Sequence, residues 1–265
     1  MRARIAIVSF TALIALLVSG LLAGLGGPAQ PADASLEVGT FKAEVLIGRD
    51  DDNITNPVIQ PATELVNQSL DDADVLVGNG GNDVLIGLKG SDTILAGLGN
   101  DIIVGGPEGG TTSPKSDIQF GDGGDDVALW APGDGNDVFV GGDGRDALIF
   151  GVTDRQSGVP TLTGQARGFS LGIPTANVSG QNGFCSLERV TDPHLGYEWL
   201  VRFRNKTTDA FIVTVRVAEV EQVYCTSQTA ATITFADLTA AEPTFVDVSL
   251  AQVTQRNALV GAMIR

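Results

Sequence analysis

The chain has little of several residue types that particular functions require. Its 265 residues include two Cys, one His and 6% aromatic residues, and 16 basic residues stand against 32 acidic ones. One His cannot form a His-ligated zinc site by itself. A formal charge of −16 has the wrong sign for neutralising phosphates, which excludes a nucleic-acid-binding protein. Two Cys permit one disulfide but exclude a disulfide-dense miniprotein.

The first 34 residues have the order of a secretory signal peptide. Two Arg within Met1–Arg4 precede an apolar run over residues 5–27, and Ala32–Ala34 forms an A-x-A cleavage pattern. We therefore expect cleavage after Ala34 and a secreted or cell-surface protein. Because about 20 apolar residues can span a bilayer, an uncleaved membrane anchor is the alternative.

The acidic excess lies almost entirely in one segment. Residues 47–149 contain 19 acidic and four basic side chains, a net charge of −15, and 17 of the 19 are Asp. Glycine lies beside Asp throughout this segment. A surface that is merely solvated would mix Asp and Glu with Lys, so this composition indicates repeated turns that carry carboxylates.

The segment repeats with a period of nine residues, as in Gly78–Ile86. Position six is Asp in every unit, and position eight is apolar in every unit except at Gln119. An outlying copy occupies residues 47–55, and residues 56–68 and 105–111 are expected to loop out as insertions. The position-six residues of the other eight units are Asp74, Asp83, Asp92, Asp101, Asp117, Asp126, Asp137 and Asp146.

These units resemble the repeat-in-toxin (RTX) family, whose nonapeptide is G-G-x-G-x-D-x-U-x with U apolar. The resemblance implies an all-β fold, a parallel β-roll with a six-residue turn and a three-residue strand in each unit, and several Ca²⁺ ions between the turns of successive coils. Calcium prefers such oxygen ligands, and glycine lets backbone carbonyls approach an ion. Besides the eight aspartates, the candidate metal-site residues are Gly78, Gly81, Gly90, Gly99, Gly124, Gly135 and Gly144.

Positions seven and nine, which flank the inward residue, are also mostly apolar, as in Val84 and Ile86. Strands that are apolar on both faces are normally covered on both. We expect the C-terminal region, residues 56–68 or a second copy to cover the outer faces. If they stay open, they could contact a surface or matrix ligand.

The C-terminal half has no recognisable family pattern. Residues 152–183 are rich in Gly, Thr and Ser and predict a loop-rich connector after a β-roll over residues 47–151. Short β-branched runs, the last at Ala258–Ile264, predict a sandwich-like β domain over residues 184–265. In an exported protein, Cys185 and Cys225 are expected to form a disulfide.

A catalytic alternative rests on the string Gly168–Gly172, which matches the G-x-S-x-G pattern around Ser170. An extracellular lipase-like or esterase-like hydrolase would use this serine. The only His, His194, follows 24 residues later in a turn-like D-P-H context, and no β-α-β pattern surrounds Ser170. The preferred prediction is therefore an exported, non-enzymatic calcium-binding protein with a structural or adhesive role.

Overall fold

The computed structural model describes residues 36–38, 45–47, 74–106, 116–153, 155–156, 159–160, 162–163 and 173–265. The described residues all belong to one compact unit. The predicted signal peptide, the position-six residue Asp52 of the outlying copy, the insertion 56–68 and Ser170 lie outside the described residues. No helix in the described ranges is long and apolar enough to cross a membrane.

Ten strands form the roll, and most are three or four residues long because each unit supplies only positions seven to nine. They are β1 (Leu36–Val38), β2 (Val45–Ile47), β3 (Val75–Val77), β4 (Val84–Ile86), β5 (Thr93–Leu98), β6 (Ile102–Val104), β7 (Ile118–Gly123), β8 (Val127–Trp130), β9 (Val138–Asp143) and β10 (Ala147–Phe150). The first of them, β1, precedes the predicted start of the roll at residue 47, and β2 begins two residues before it.

The remaining elements follow the repeats. The strands are β11 (Val152–Thr153), β12 (Arg155–Gln156), β13 (Val159–Pro160), β14 (Leu162–Thr163), β15 (Ile173–Pro174), β16 (Ala176–Asn177), β17 (Gly183–Arg189), β18 (Trp199–Asn205), β19 (Phe211–Ala218), β20 (Gln222–Thr226), β21 (Ile233–Asp237) and β22 (Val246–Val248). A 3-10 helix spans Pro193–Leu195, and two short helices, α1 (Leu250–Arg256) and α2 (Ala258–Met263), close the chain.

Two eight-stranded sheets run the length of the described fold. The first has the order β1-β3-β5-β7-β9-β19-β18-β17, and the second has the order β2-β4-β6-β8-β10-β20-β21-β22. Strands up to β19 and β20 pair in parallel, and the last two strands of each sheet pair antiparallel. This confirms the all-β, parallel roll. The C-terminal strands extend the same two sheets instead of forming a sandwich of their own.

The space between the sheets is filled by the position-eight side chains. Leu85, Ile94 and Leu148 are fully buried there, together with Val217 and Val223 of the non-repeat strands β19 and β20. Burial on this face is what the period of nine predicts. The same core therefore continues from the repeats into the C-terminal part of the chain.

The outer face of the second sheet is covered by the C-terminal end of the chain. Residues at positions seven and nine, such as Val84 and Ile149, share a buried cluster with Val253, Val260 and Met263 of the two helices. This confirms the expected cover for one sheet. On the first sheet the outer face is more open, and Ile118 is 42% exposed.

The prediction of a strand at Ala258–Ile264 is wrong, because this segment forms α2. The side chain of Asn257 caps the helix by accepting the backbone N–H groups of Leu259 and Val260. The buried residues Val260 and Met263 are three positions apart, which suits one helix face. A short apolar run carries too little periodicity to separate a strand from a helix.

The two sheets are also joined covalently. Cys185 in β17 and Cys225 in β20 form the predicted disulfide, with their Cα atoms 6.1 Å apart. The bond closes a separation of 40 residues. It therefore connects the first sheet to the second at the end of the roll that the repeats do not occupy.

Candidate metal centre

The position-six aspartates lie in two columns, one along each edge of the roll. The aspartates that directly precede strands of the first sheet form one column, and those that directly precede strands of the second sheet form the other. Every member is at most 3% exposed. Column one consists of Asp74, Asp92, Asp117 and Asp137, and column two of Asp83, Asp101, Asp126 and Asp146.

Within each column, one carboxylate oxygen joins successive coils. Asp126 Oδ1 accepts the backbone N–H of Asp101 at 2.8 Å, and Asp146 Oδ1 accepts that of Asp126 at 2.8 Å. Column one has the same ladder, as when Asp117 Oδ1 accepts from Asp92 at 2.8 Å. Each aspartate is thereby held in one orientation, which fixes the position of its second oxygen.

The second oxygen of these carboxylates is buried. Oδ2 of Asp101, Asp126 and Asp146 has no hydrogen-bond partner in the described part of the chain. An anionic oxygen without a partner is costly to bury, since desolvation is not offset. The arrangement therefore calls for a positive group at these oxygens.

Glycine at position one leaves room for that group. A Cβ added at Gly121 would collide with Asp126 Oδ2 and with the carbonyl oxygen of Gly141 in the next coil. A Cβ added at Gly87 would likewise meet Asp92 Oδ2 and the carbonyl oxygen of Gly105. A carboxylate and a carbonyl thus converge on one gap between turns, which is the oxygen chemistry that Ca²⁺ prefers.

Burial changes the acidity of column two. It raises the pKa of Asp101 to about 6, of Asp146 to about 7 and of Asp126 to about 8 from an ordinary 3.8, while the backbone hydrogen bonds act in the opposite direction. Neighbouring carboxylates add to the increase at Asp126. In the absence of a cation, the folded column disfavours its own charge at neutral pH.

Comparison with known families supports the same interpretation. The model of the RTX calcium-binding nonapeptide repeat matches four copies in residues 70–106 and 133–152. These repeats belong to the RTX family. No curated protein and no solved structure matches the chain. RTX repeats bind several Ca²⁺ ions along a roll, and the buried oxygens of the columns are suitable ligands for them.

Single RTX turns do not bring three acidic side chains together. Within the described ranges, no group of three or more His, Cys, Asp or Glu side chains is close enough to hold a metal. Backbone carbonyls must therefore supply much of the coordination, as the glycine-rich turns allow. This also explains why one aspartate per turn suffices in the sequence.

Most RTX glycines predicted for the site hold the turn as expected. Gly81, Gly90, Gly99, Gly124 and Gly144, all at position four, have positive φ angles between 118° and 153°. At Gly99 a Cβ would also collide with the carbonyl of Gly81 in the preceding coil. Glycine is thus required there both for its conformation and for the close stacking of coils.

Gly135 differs from the other position-four glycines. It is not among the residues with positive φ, and its carbonyl accepts the indole N–H of Trp130 at 3.1 Å. Asp134 Oδ2 in the same turn accepts the backbone N–H of Ala131 at 2.7 Å. The turn that follows the extra residues Trp130-Ala131 therefore differs from the others, and a ligand role for Gly135 stays a prediction.

Two features of the aspartate columns were not predicted from the sequence. Gly105 and Gly106 supply positions one and two of the turn before Asp117, since a Cβ at Gly105 would collide with Asp117 Oδ2. The unit therefore does have its first glycines, and the insertion begins after Gly106. The signal was the pair of glycines directly after β6, which an assignment in fixed blocks of nine overlooked.

The second missed feature lies outside the repeats. Glu221, between β19 and β20, accepts the backbone N–H of Asp146 through Oε2 at 2.7 Å. This is the bond that each position-six aspartate accepts from the coil before it. A lone glutamate in a non-repeat sequence gives no periodic signal, so only the fold identifies it.

The hydrolase alternative gains no support from the described residues. Ser170 lies outside them, and His194 is exposed in the 3-10 helix, where its backbone N–H donates to Asp192 Oδ1. That placement agrees with the turn predicted from the D-P-H context. An active site at Ser170 stays a prediction, which loss of ester hydrolysis in Ser170→Ala would support.

Proposed function

We propose that this protein is exported and serves outside the cytoplasm as a calcium-assembled structural or adhesive module of the cell surface or extracellular matrix. The observation that carries the proposal is the pair of buried aspartate columns. Folding would bury their charge at a cost unless cations are bound, and calcium is abundant outside cells. Calcium would thus restrict the folded form to the exterior.

Two sequence and structural features support export. The basic start, the apolar run and the A-x-A pattern before Ser35 are typical of a signal peptide. The Cys185–Cys225 disulfide suits an oxidising compartment, since disulfides persist mainly outside the cytoplasm. The uncleaved alternative would place the same module on a membrane.

An adhesive role is supported by the outer face of the first sheet. Ile118 is 42% exposed, and Phe120, Val138 and Val140 beside it are half-buried. On the second sheet, α1 and α2 cover the corresponding residues at positions seven and nine of the repeats. We propose that the open face contacts a surface ligand or a second copy of the protein.

Export and adhesion can be tested separately. N-terminal sequencing of the protein from its producing cells is expected to begin at Ser35, and an intact Met1 would contradict cleavage. For adhesion, retention on producing cells is measured in calcium and in chelator, with Ile118→Ser beside wild type. Loss of retention in chelator and in Ile118→Ser is expected, and retention unaffected by both would contradict the adhesive role.

A further inference from the structure

The second carboxylate column continues beyond the repeats. Glu221 lies in the short connection Glu219–Glu221, where β19 crosses to β20. β20 pairs in parallel with β10, and Gln222 lies opposite Ala147, so Glu221 holds the place after Asp146 in the column. Its Oε2 makes the column's hydrogen bond, accepting from the backbone of Asp146 at 2.7 Å.

The backbone of this connection also reproduces the gap found between repeats. A Cβ added at Gly141 would collide with both Asp146 Oδ2 and the carbonyl oxygen of Glu219. In the previous coil, Gly121 meets the corresponding pair, Asp126 Oδ2 and the carbonyl of Gly141. Glu219 itself has a positive φ of 53°, a strained conformation for a residue with a side chain.

The carboxylate that faces this gap needs a positive partner. Asp146 is fully buried, and its Oδ2 has no hydrogen-bond partner in the described residues. The charges of Glu221, Asp125 and Glu219 add to the negative potential around Asp146. Arg145 favours the charge of Glu221 but is itself exposed.

Column one ends differently. Arg216 of β19 lies opposite Val138, so the residue opposite Asp137 is Val215, which is buried in the apolar core. No carboxylate is therefore added to that column from β19. The two columns differ at the same end of the roll.

We propose that Glu219, through its backbone carbonyl, and Glu221, through its carboxylate, complete a further Ca²⁺ site with Asp146. The inference rests on calcium binding by the repeats and adds a site shared with the non-repeat part of the chain. Binding there ties β19 and β20, and through them the C-terminal strands, to the calcium state of the roll.

The test is a count of bound calcium ions per chain by equilibrium dialysis. Glu221→Gln removes the charge but keeps an oxygen that can accept from the backbone of Asp146. It is expected to bind one ion fewer than wild type, with the other ions unchanged. Glu242→Gln, which removes one exposed charge from the same half of the chain, is expected to keep the wild-type count.

A second variant protects the test against general misfolding. Asp146→Asn is expected to lose the same ion, so the double variant binds as few ions as Asp146→Asn alone. If Glu221→Gln binds as many ions as wild type, Glu221 is only a structural cap and the site is overturned. A wild-type protein that binds no calcium would overturn the proposed function as well, so the two failures are distinct.

Discussion

The substitution Asp126→Asn separates the cost of burying a carboxylate from the benefit of binding calcium. Asparagine keeps an oxygen for the backbone N–H of Asp101 and has nearly the same shape, but it cannot ionise. In wild type, burial raises the pKa of Asp126 from 3.8 to about 8. In calcium, by contrast, the variant lacks an anionic ligand.

The sign and size of the effect follow from linkage. A carboxyl group with a raised folded pKa contributes stability below its unfolded pKa, and that stability is lost as pH rises towards the folded pKa. Between pH 3.8 and pH 7, roughly three pH units, the folded state loses about 1.4 kcal/mol of stability per unit, or ~4 kcal/mol in all. Asparagine loses none of this, so without calcium the variant is expected to be more stable than wild type by up to ~4 kcal/mol at pH 7.

Urea unfolding followed by far-UV circular dichroism provides the assay, in chelator at pH 4 and pH 7 and in calcium at pH 7. The expected pattern is near equality at pH 4, a more stable variant in chelator at pH 7, and a less stable variant in calcium. Asp143→Asn, at an exposed position in the turn that carries Asp146, serves as the control. A variant that is less stable than wild type in chelator at pH 7 would refute the reasoning.

Four further predictions follow from the same structure. Calcium-free wild type is expected to lose stability as pH rises from about 4 to 8, because the folded carboxyl groups resist ionisation. Calcium binding near pH 7 is expected to release protons, which calorimetry in buffers of different ionisation enthalpy measures. Binding without proton release would contradict the raised pKa values. Gly87→Ala is expected to lose one bound ion because its Cβ fills a gap between turns. Gly123→Ala, where the added atom meets the Leu98 side chain at 3.2 Å and the Gly97 carbonyl oxygen at 4.0 Å, is expected to keep the full count. Replacing Cys185 and Cys225 by Ser is expected to lower the unfolding free energy by about 3–4 kcal/mol, measured by urea unfolding, and an unchanged midpoint would contradict a stabilising bond. Met263→Ala is expected to lower the unfolding free energy by about 2–5 kcal/mol in the same assay and to increase dye binding to the second sheet, and neither change would be seen if α2 did not cover that face.

The repeat region was predictable because its signal is redundant. Asp and apolar residues recur in fixed register, so the position of Leu85 in the core and of Asp83 beside it follow from one another. The period also predicts that the turns form columns. The period does not predict which units pair across an insertion, because the insertion after Gly106 interrupts the repeat of nine while the strands on either side still pair.

The C-terminal half was less predictable because tertiary packing decides its structure. Nothing local distinguishes β19 from an independent strand, yet it pairs in parallel with β9 and continues the roll. The short strand β20 likewise continues the roll, and its Val223 and Cys225 enter the core between the sheets. Glu221 acquires its place in the column only through that pairing.

The central claim is that calcium assembles the roll by occupying the gaps between aspartate turns. It is tested most directly by far-UV circular dichroism of the chain from Ser35 onward during a calcium titration, with magnesium as the control. The account predicts a cooperative gain of β signal with calcium and little change with magnesium, which demands a tighter octahedral shell. An identical spectrum in chelator and in millimolar calcium would contradict it.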